Sequence, residues 1–256
     1  MVITEDHCFY PDHFVYFDPA RSGLNHESIW IQDRLHCWFI QPKKTRSKPV
    51  SVVHLHGNAE NMTSHIIGAT FLLDMGYHLF TFDYSGYGQS RGKPTLAGIQ
   101  QDAMAVFQHI LERPQKFGSS VFGFGQSMGA YALARILPEI PALKGAILEA
   151  GLFSFYNLFS QAYPHIKCTI PNDGYSALDT LPSSSVPKLF IHGTHDLVVP
   201  HAHSEKMFGV AAQPKEIMIL QGVGHIEAFA STQSASYTER IESFVEKNAE
   251  KNDQRP

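Results

Sequence analysis

The chain has 256 residues, 43% hydrophobic and 17% charged, enough apolar material to bury a core without a disulfide or metal staple. A formal net charge of −4 excludes the basic field that nucleic acid or an anionic membrane surface would require. No apolar run approaches the roughly 20 residues of a membrane span.

Cys8, Cys37 and Cys168 form an odd set without paired spacing. Free thiols and a cytoplasmic, reducing setting are therefore expected. The first residues lack the basic head and apolar run of a signal peptide.

In chain order, short apolar runs alternate with longer amphipathic ones. Residues 28–40 hold two β-rich stretches around Gln32-Asp33-Arg34, which predicts a hairpin. Residues 51–55 form a β-branched strand ending at His56-Gly57-Asn58, and 64–75 has helical spacing up to Gly76. A strand at 78–82 leads into Asp83-Tyr84-Ser85-Gly86-Tyr87-Gly88. Residues 95–111 carry Ile99, Ala103, Val106, Phe107 and Ile110 on one helical face, closed by Pro114. Residues 121–124, 146–148 and 189–191 read as buried strands, separated by helices around 128–137 and 202–208. A strand at 217–220 and a helix at 237–247 follow, and a polar tail from about residue 246 is expected to fray.

Strands alternating with helices imply βαβ units, hence a mostly parallel sheet with helices on both faces and the N-terminal hairpin at its edge. The whole chain, 1–256, is expected to form one such α/β domain. Ligands of open α/β sheets bind beyond the strand C-terminal ends, and the chemical candidates all follow such strands.

Gly125-Gln126-Ser127-Met128-Gly129 joins the 121–124 strand to a helix. A sharp strand-to-helix turn forces the serine into a strained conformation, and glycine two residues away on either side removes the clash. The helix start also aims its free N–H groups at the site, Met128 N–H being one donor for a developing oxyanion. The plainer alternative is a Gly-rich turn with a serine N-cap.

A serine hydroxyl needs a base, and the base needs an orienting carboxylate. His225 lies on the glycine-flanked loop after the last strand, and Asp196 follows the strand before it in His192-Gly193-Thr194-His195-Asp196. The alternatives are a solvated loop histidine and a turn or helix-capping aspartate; Glu149 is the second choice of acid and Asp83 a weaker one. His192, His195, His201 and His203 crowd Asp196, but no metal-ligand spacing accompanies them. His54 and His56 read as structural or site-lining. The loop after 51–55 would supply the second oxyanion donor, from Asn58 N–H or else Ala59 N–H.

With His56-Gly57-Asn58, Asp83 through Pro94, the Gly125–Gly129 segment, His192 through Asp196 and Gly224-His225 in this order, the chain resembles the α/β-hydrolase superfamily over about residues 28–247. Within it, the HGN and Asp83–Pro94 segments look most like compact serine hydrolases of the depalmitoylase-thioesterase and esterase kind. That resemblance implies Ser127 as nucleophile, Asp196 as acid, His225 as base, and Asn58 and Met128 as oxyanion donors.

It also implies an acyl-enzyme route from a small-molecule ester or thioester, with no cofactor. The same triad would serve an acyltransferase, a perhydrolase or a peptidase, and a non-catalytic binding protein is the reading from another class. Many relatives insert a large lid before the acid; here residues 151–186 are short and proline-broken, a small cap. Its Phe155, Phe159 and Tyr163 share helical spacing, so Phe155 and Phe159 either line an acyl pocket or simply pack on the sheet.

Overall fold

The computed structural model describes residues 2–172 and 174–249. Two short strands, β1 (Val2–Ile3) and β2 (Tyr10–Pro11), precede the hairpin β3 (Asn25–Ile31) and β4 (Leu35–Gln41). Next come β5 (Val50–Leu55), β6 (Ala59–Glu60), α1 (Met62–His65), α2 (Phe71–Asp74) and β7 (His78–Phe82). Then follow α3 (Leu96–Leu111), α4 (Pro114–Phe117), β8 (Ser120–Gln126), α5 (Met128–Ile136) and β9 (Gly145–Glu149). The cap holds α6 (Phe155–Ala162) and β10 (Lys167–Cys168), and the chain continues through β11 (Lys188–Gly193), α7 (Ala202–Val210), β12 (Lys215–Leu220) and α8 (Ser234–Ala249).

Eight strands make the central sheet in the order β12-β11-β9-β8-β5-β7-β4-β3. From β12 to β7 every pairing is parallel, while β4 runs antiparallel to β7 and β3 to β4. Neighbours β7 and β8 lie on opposite sides of β5, so the direction of winding reverses there. Such a reversal opens a crevice at the strand C-terminal ends. The loops after β5 and β8 flank it.

Alternation along the strands divides the core in two. Val53, Leu55 and Val121 pack with α3, α5 and Met207 of α7 on one face. Val50, Val52, Phe122 and Phe124 pack with α1, α2 and the Tyr237, Ile241, Phe244 and Val245 face of α8 on the other. A parallel sheet has to be covered on both sides in this way.

Two expectations need correction. The single helix expected at 64–75 is broken into α1, a tight 3-10 turn at Ile66–Ala69, and α2. Gly68 and Thr70 are poor helix formers, and the Thr70 hydroxyl donates to Ile67 O at 2.9 Å, bonding locally instead of continuing the helix. The polar tail does not begin at 246: α8 continues to Ala249, and Lys247 Nζ meets Glu216 at 2.7 Å. Residues 250–256, the rest of that tail, lie outside the described residues. No helix among the described residues is long and apolar enough to cross a membrane.

Candidate active site

Ser127 sits between β8 and α5 with φ +53° and ψ −115°, a left-handed value that a serine rarely adopts. Its N–H donates to Glu149 O at 2.9 Å and its carbonyl accepts Tyr131 N–H at 3.1 Å, so the turn is tied to β9 and to α5. The turn is tight enough to require both glycines. A Cβ on Gly125 would stand 2.5 Å from Gly129 O, and one on Gly129 would stand 1.9 Å from Leu55 O. The α5 backbone therefore touches the end of β5 at Leu55 and His56, so the start of α5 lies against the strand that leads into the 56–58 loop.

That loop is braced from outside. Asn58 O accepts Tyr10 N–H at 3.0 Å and the Tyr87 hydroxyl at 3.0 Å, while Asn58 Nδ2 donates to Cys8 O at 3.1 Å. β2 pairs with β6 immediately after it, matching Tyr10 with Ala59. The His65 ring lies under Gly57 and bonds Ala59 O at 3.0 Å. The Asn58 side chain and carbonyl are thus committed to holding the loop.

On the other side of the crevice, His225 Nδ1 donates to Asp196 Oδ2 at 2.7 Å. Asp196 Oδ1 accepts the N–H groups of Val198 (2.9 Å) and Val199 (2.8 Å). Burial pushes the Asp196 carboxyl up, but bonds from His192 and His225 outweigh it and hold the group well below the usual carboxylate range. A carboxylate kept ionised beside an imidazole fixes the Nδ1–H tautomer and leaves Nε2 for another partner.

The structure brings Asp196 and His225 together and leaves the other acids out. Glu149 Oε2 accepts Gln126 Nε2 at 2.8 Å and the Tyr237 hydroxyl at 2.9 Å; its pKa is raised by burial, which those two bonds partly offset. Asp83 accepts Met62 N–H at 2.7 Å at the start of α1, and burial pushes its carboxyl up to about 7. His54 bridges Thr81 and Gln126 and is driven down to about 4 by burial, while His56 Nδ1 bonds Gly57 O at 2.7 Å. Both are structural. Among the described residues no group of three or more His, Cys, Asp or Glu is placed to hold a metal ion, and Cys8, Cys37 and Cys168 are free thiols.

Phe155 is 3% exposed and packs between Phe9 and Tyr131, with ring centroids at 6.2 and 5.2 Å. It is a core residue, the packing alternative for the cap aromatics. Phe159 is half-buried one turn later and lies parallel to Tyr163 at 6.4 Å. Neither His192 nor the N-terminal brace at Cys8 and Tyr10 stands out as functional in the sequence. His192 lies four residues before Asp196 in the same motif, which is the one signal that could have singled it out.

Comparison with known proteins agrees with this fold. Residues 47–171 match the family model described as serine aminopeptidase, S33. The chain is 29% identical over 244 residues to the uncharacterized protein YfhR of Escherichia coli K12, covering 93% of this chain and 85% of that one. It is also 29% identical over 216 residues to human alpha/beta hydrolase domain-containing protein 17B, covering 83% and 71%. The esterase Pf2001 of Pyrococcus furiosus superposes with a TM-score of 0.73 at 19% identity, covering 94% of this chain and 99% of that one. The chain has the α/β-hydrolase fold, and these matches support its membership of that superfamily. In this α/β-hydrolase the family match spans the Asn58 loop and Ser127 but ends before Asp196 and His225. The structure of TT1662 from Thermus thermophilus, with a TM-score of 0.70 at 19% identity over 90% of this chain and 99% of that one, shares the fold as well.

Proposed function

We propose that this α/β-hydrolase is a serine hydrolase that cleaves an ester or thioester through an acyl-enzyme. The observation that carries the reading is the strained Ser127 at the β8–α5 turn, on the same sheet edge as a buried Asp196 bonded at 2.7 Å to a half-buried His225. Strain of this kind costs about 1–3 kcal/mol and persists where it is held for a purpose, here to lift a hydroxyl clear of the sheet.

In this reading His225 Nε2 takes the Ser127 proton as Oγ attacks the acyl carbon. Asp196 stabilises the imidazolium that forms without itself taking a proton. The N–H groups of Met128 and Asn58 receive the oxyanion, each contributing about 3 kcal/mol to transition-state stability. His225 then protonates the departing alkoxide or thiolate, and water, deprotonated by the same base, releases the acid. In this reading Phe159 on α6, half-buried beside Tyr163, is the cap side chain assigned to an apolar acyl group. The short cap over one sheet edge suits a single-domain arrangement, and three free thiols suit the cytoplasm.

A second reading, peptide hydrolysis, is favoured by the match to the serine aminopeptidase model. Parallel assays on p-nitrophenyl acyl esters, an acyl thioester and an aminoacyl-p-nitroanilide separate the two. Ester or thioester turnover that is lost in Ser127→Ala supports the proposal. Turnover confined to the anilide overturns it in favour of a peptidase, and turnover that survives in Ser127→Ala overturns both.

A further inference from the structure

Asp196 Oδ2 has a second imidazole on it. His192 Nε2 lies 3.0 Å from that oxygen and 2.8 Å from Val199 O, while His192 Nδ1 lies 2.7 Å from the hydroxyl of Ser204 on α7. All of these side chains are buried. A ring nitrogen facing a carboxylate and a carbonyl, which can only accept, must carry the proton. Nδ1 of the neutral ring is then an acceptor, and the Ser204 hydroxyl donates to it.

We propose that His192 and Ser204 are positioning residues for the triad: Ser204 donates to His192, His192 donates to Asp196, and Asp196 is thereby fixed in plane and in basicity for His225. The inference rests on the serine hydrolase reading. Asp196 has four hydrogen bonds, two from backbone N–H groups and one from each histidine, so its carboxylate cannot rotate. The bond to Val199 O also ties the carboxylate to the loop that carries it.

Sharing Oδ2 between two donors limits how strongly the carboxylate pulls on the His225 proton. With His192 gone, His225 is left as the sole donor to Oδ2. The carboxylate becomes more basic and holds the imidazolium formed in the reaction more tightly, so labelling of Ser127 should require a higher pH. The other ionisable groups facing this cluster are Glu149 at the end of β9, His203 and Lys206 on α7, and His65 on α1. His203 accepts Phe153 N–H at 3.3 Å through Nδ1 and is pushed down to about 4 by burial, so it brings no charge near neutrality.

Two measurements test this. Nitrogen-15 NMR of histidine-labelled Ser127→Ala protein at pH 7 reads the tautomer without needing activity; the Nε2–H form of His192 is expected, and an Nδ1–H or imidazolium form overturns the proposal. The pH profile of fluorophosphonate labelling is then compared among variants. In His192→Leu its midpoint should move up by about 0.5–1 pH unit, with labelling below the parent's midpoint down about 3- to 10-fold. His192→Gln, which keeps a donor at the Nε2 position, should return within about threefold of the parent, and Ser204→Ala should shift the midpoint in the same direction by less. An unmoved midpoint in folded His192→Leu, or no rescue by His192→Gln, overturns the positioning role. Failure of the parent protein to label would instead remove the serine hydrolase reading, leaving the tautomer measurement to decide the hydrogen-bond chain.

Discussion

His225 and Asp196 are 29 residues apart in sequence, on the loops after β12 and β11, yet Nδ1 and Oδ2 meet at 2.7 Å inside the protein. Parallel pairing of β11 with β12 places Gly193 opposite Leu220, and His195 N–H donates to Val223 O at 2.9 Å. The two loops are stitched together before either functional side chain is counted.

Asp196 and Glu149 are therefore not interchangeable. Asp196→Asn presents an amide to His225 Nδ1 and favours the wrong tautomer, so the esterase rate should fall by about 10⁴-fold with little change in KM. Glu149→Gln keeps the geometry of a group that contacts Gln126 and Tyr237, and should stay within about tenfold of the parent. Initial rates on a p-nitrophenyl ester check both. A larger loss in Glu149→Gln than in Asp196→Asn would reverse the assignment of the acid.

The brace on the Asn58 loop leads to an effect in kcat from residues that touch no substrate. Tyr87→Phe removes one of the two donors on Asn58 O, worth about 1 kcal/mol, so kcat should drop about fivefold. KM should hardly move, because the loop acts on the transition state. A change confined to KM would place Tyr87 in substrate binding instead.

Gly129 and Gly222 make a matched pair for stability. A Cβ at Gly129 meets the β5 backbone, which cannot withdraw, so Gly129→Ala should cost more than about 3 kcal/mol or prevent folding. At Gly222 φ is +77° but nothing lies within 4 Å, so Gly222→Ala should cost only about 1 kcal/mol. Denaturant titration of the two variants gives the comparison, and equal costs would refute the close contact.

Stability should fall on mild acidification. Burial holds His36, His54 and His203 at about 4, against about 6.5 in an unfolded chain, so between those values the unfolded state binds more protons. Unfolding is therefore favoured as pH drops from about 6.5 towards 4, and the loss is complete below that. Asp83, raised to about 7, runs the other way and cancels part of it, because its neutral form is the one favoured by folding. Tm measured at pH 7.5 and pH 5 should be clearly lower at pH 5; an equal or higher value would contradict the buried neutral histidines.

The central sheet was legible because burial on both faces leaves a distinct mark. The apolar runs at 78–82, 121–124, 146–148 and 189–191 all became strands, lengthened by a residue or two where the runs end in polar or small residues such as Ser120, Gln126 and Gly193. The 95–111 helix was readable from its apolar face; in the structure it starts at Leu96, with Thr95 as its cap accepting Gly98 N–H at 2.8 Å. The positions of Ser127, Asp196 and His225 were readable for a related reason: each follows a strand, and parallel strands deliver their ends to one edge.

What stayed hidden depends on long-range bonds that carry no periodicity. Residues 2–11 look irregular in sequence, yet β1 pairs with β10 and β2 with β6, closing the chain over the cap and the Asn58 loop. Phe155 and Phe159 share one helical spacing, and only the positions of Phe9 and Tyr131 decide that the first is core. His192 was one of 15 histidines until Ser204 of α7 was seen on its far side.

The nucleophilic serine is the claim on which the rest depends. Incubation with a fluorophosphonate probe, followed by peptide mass spectrometry, tests it most directly. A single adduct on Ser127, absent in Ser127→Ala and slowed at least 100-fold in a folded His225→Ala variant, is the predicted result. No adduct on Ser127 in the folded protein, or labelling that is indifferent to His225, would contradict it.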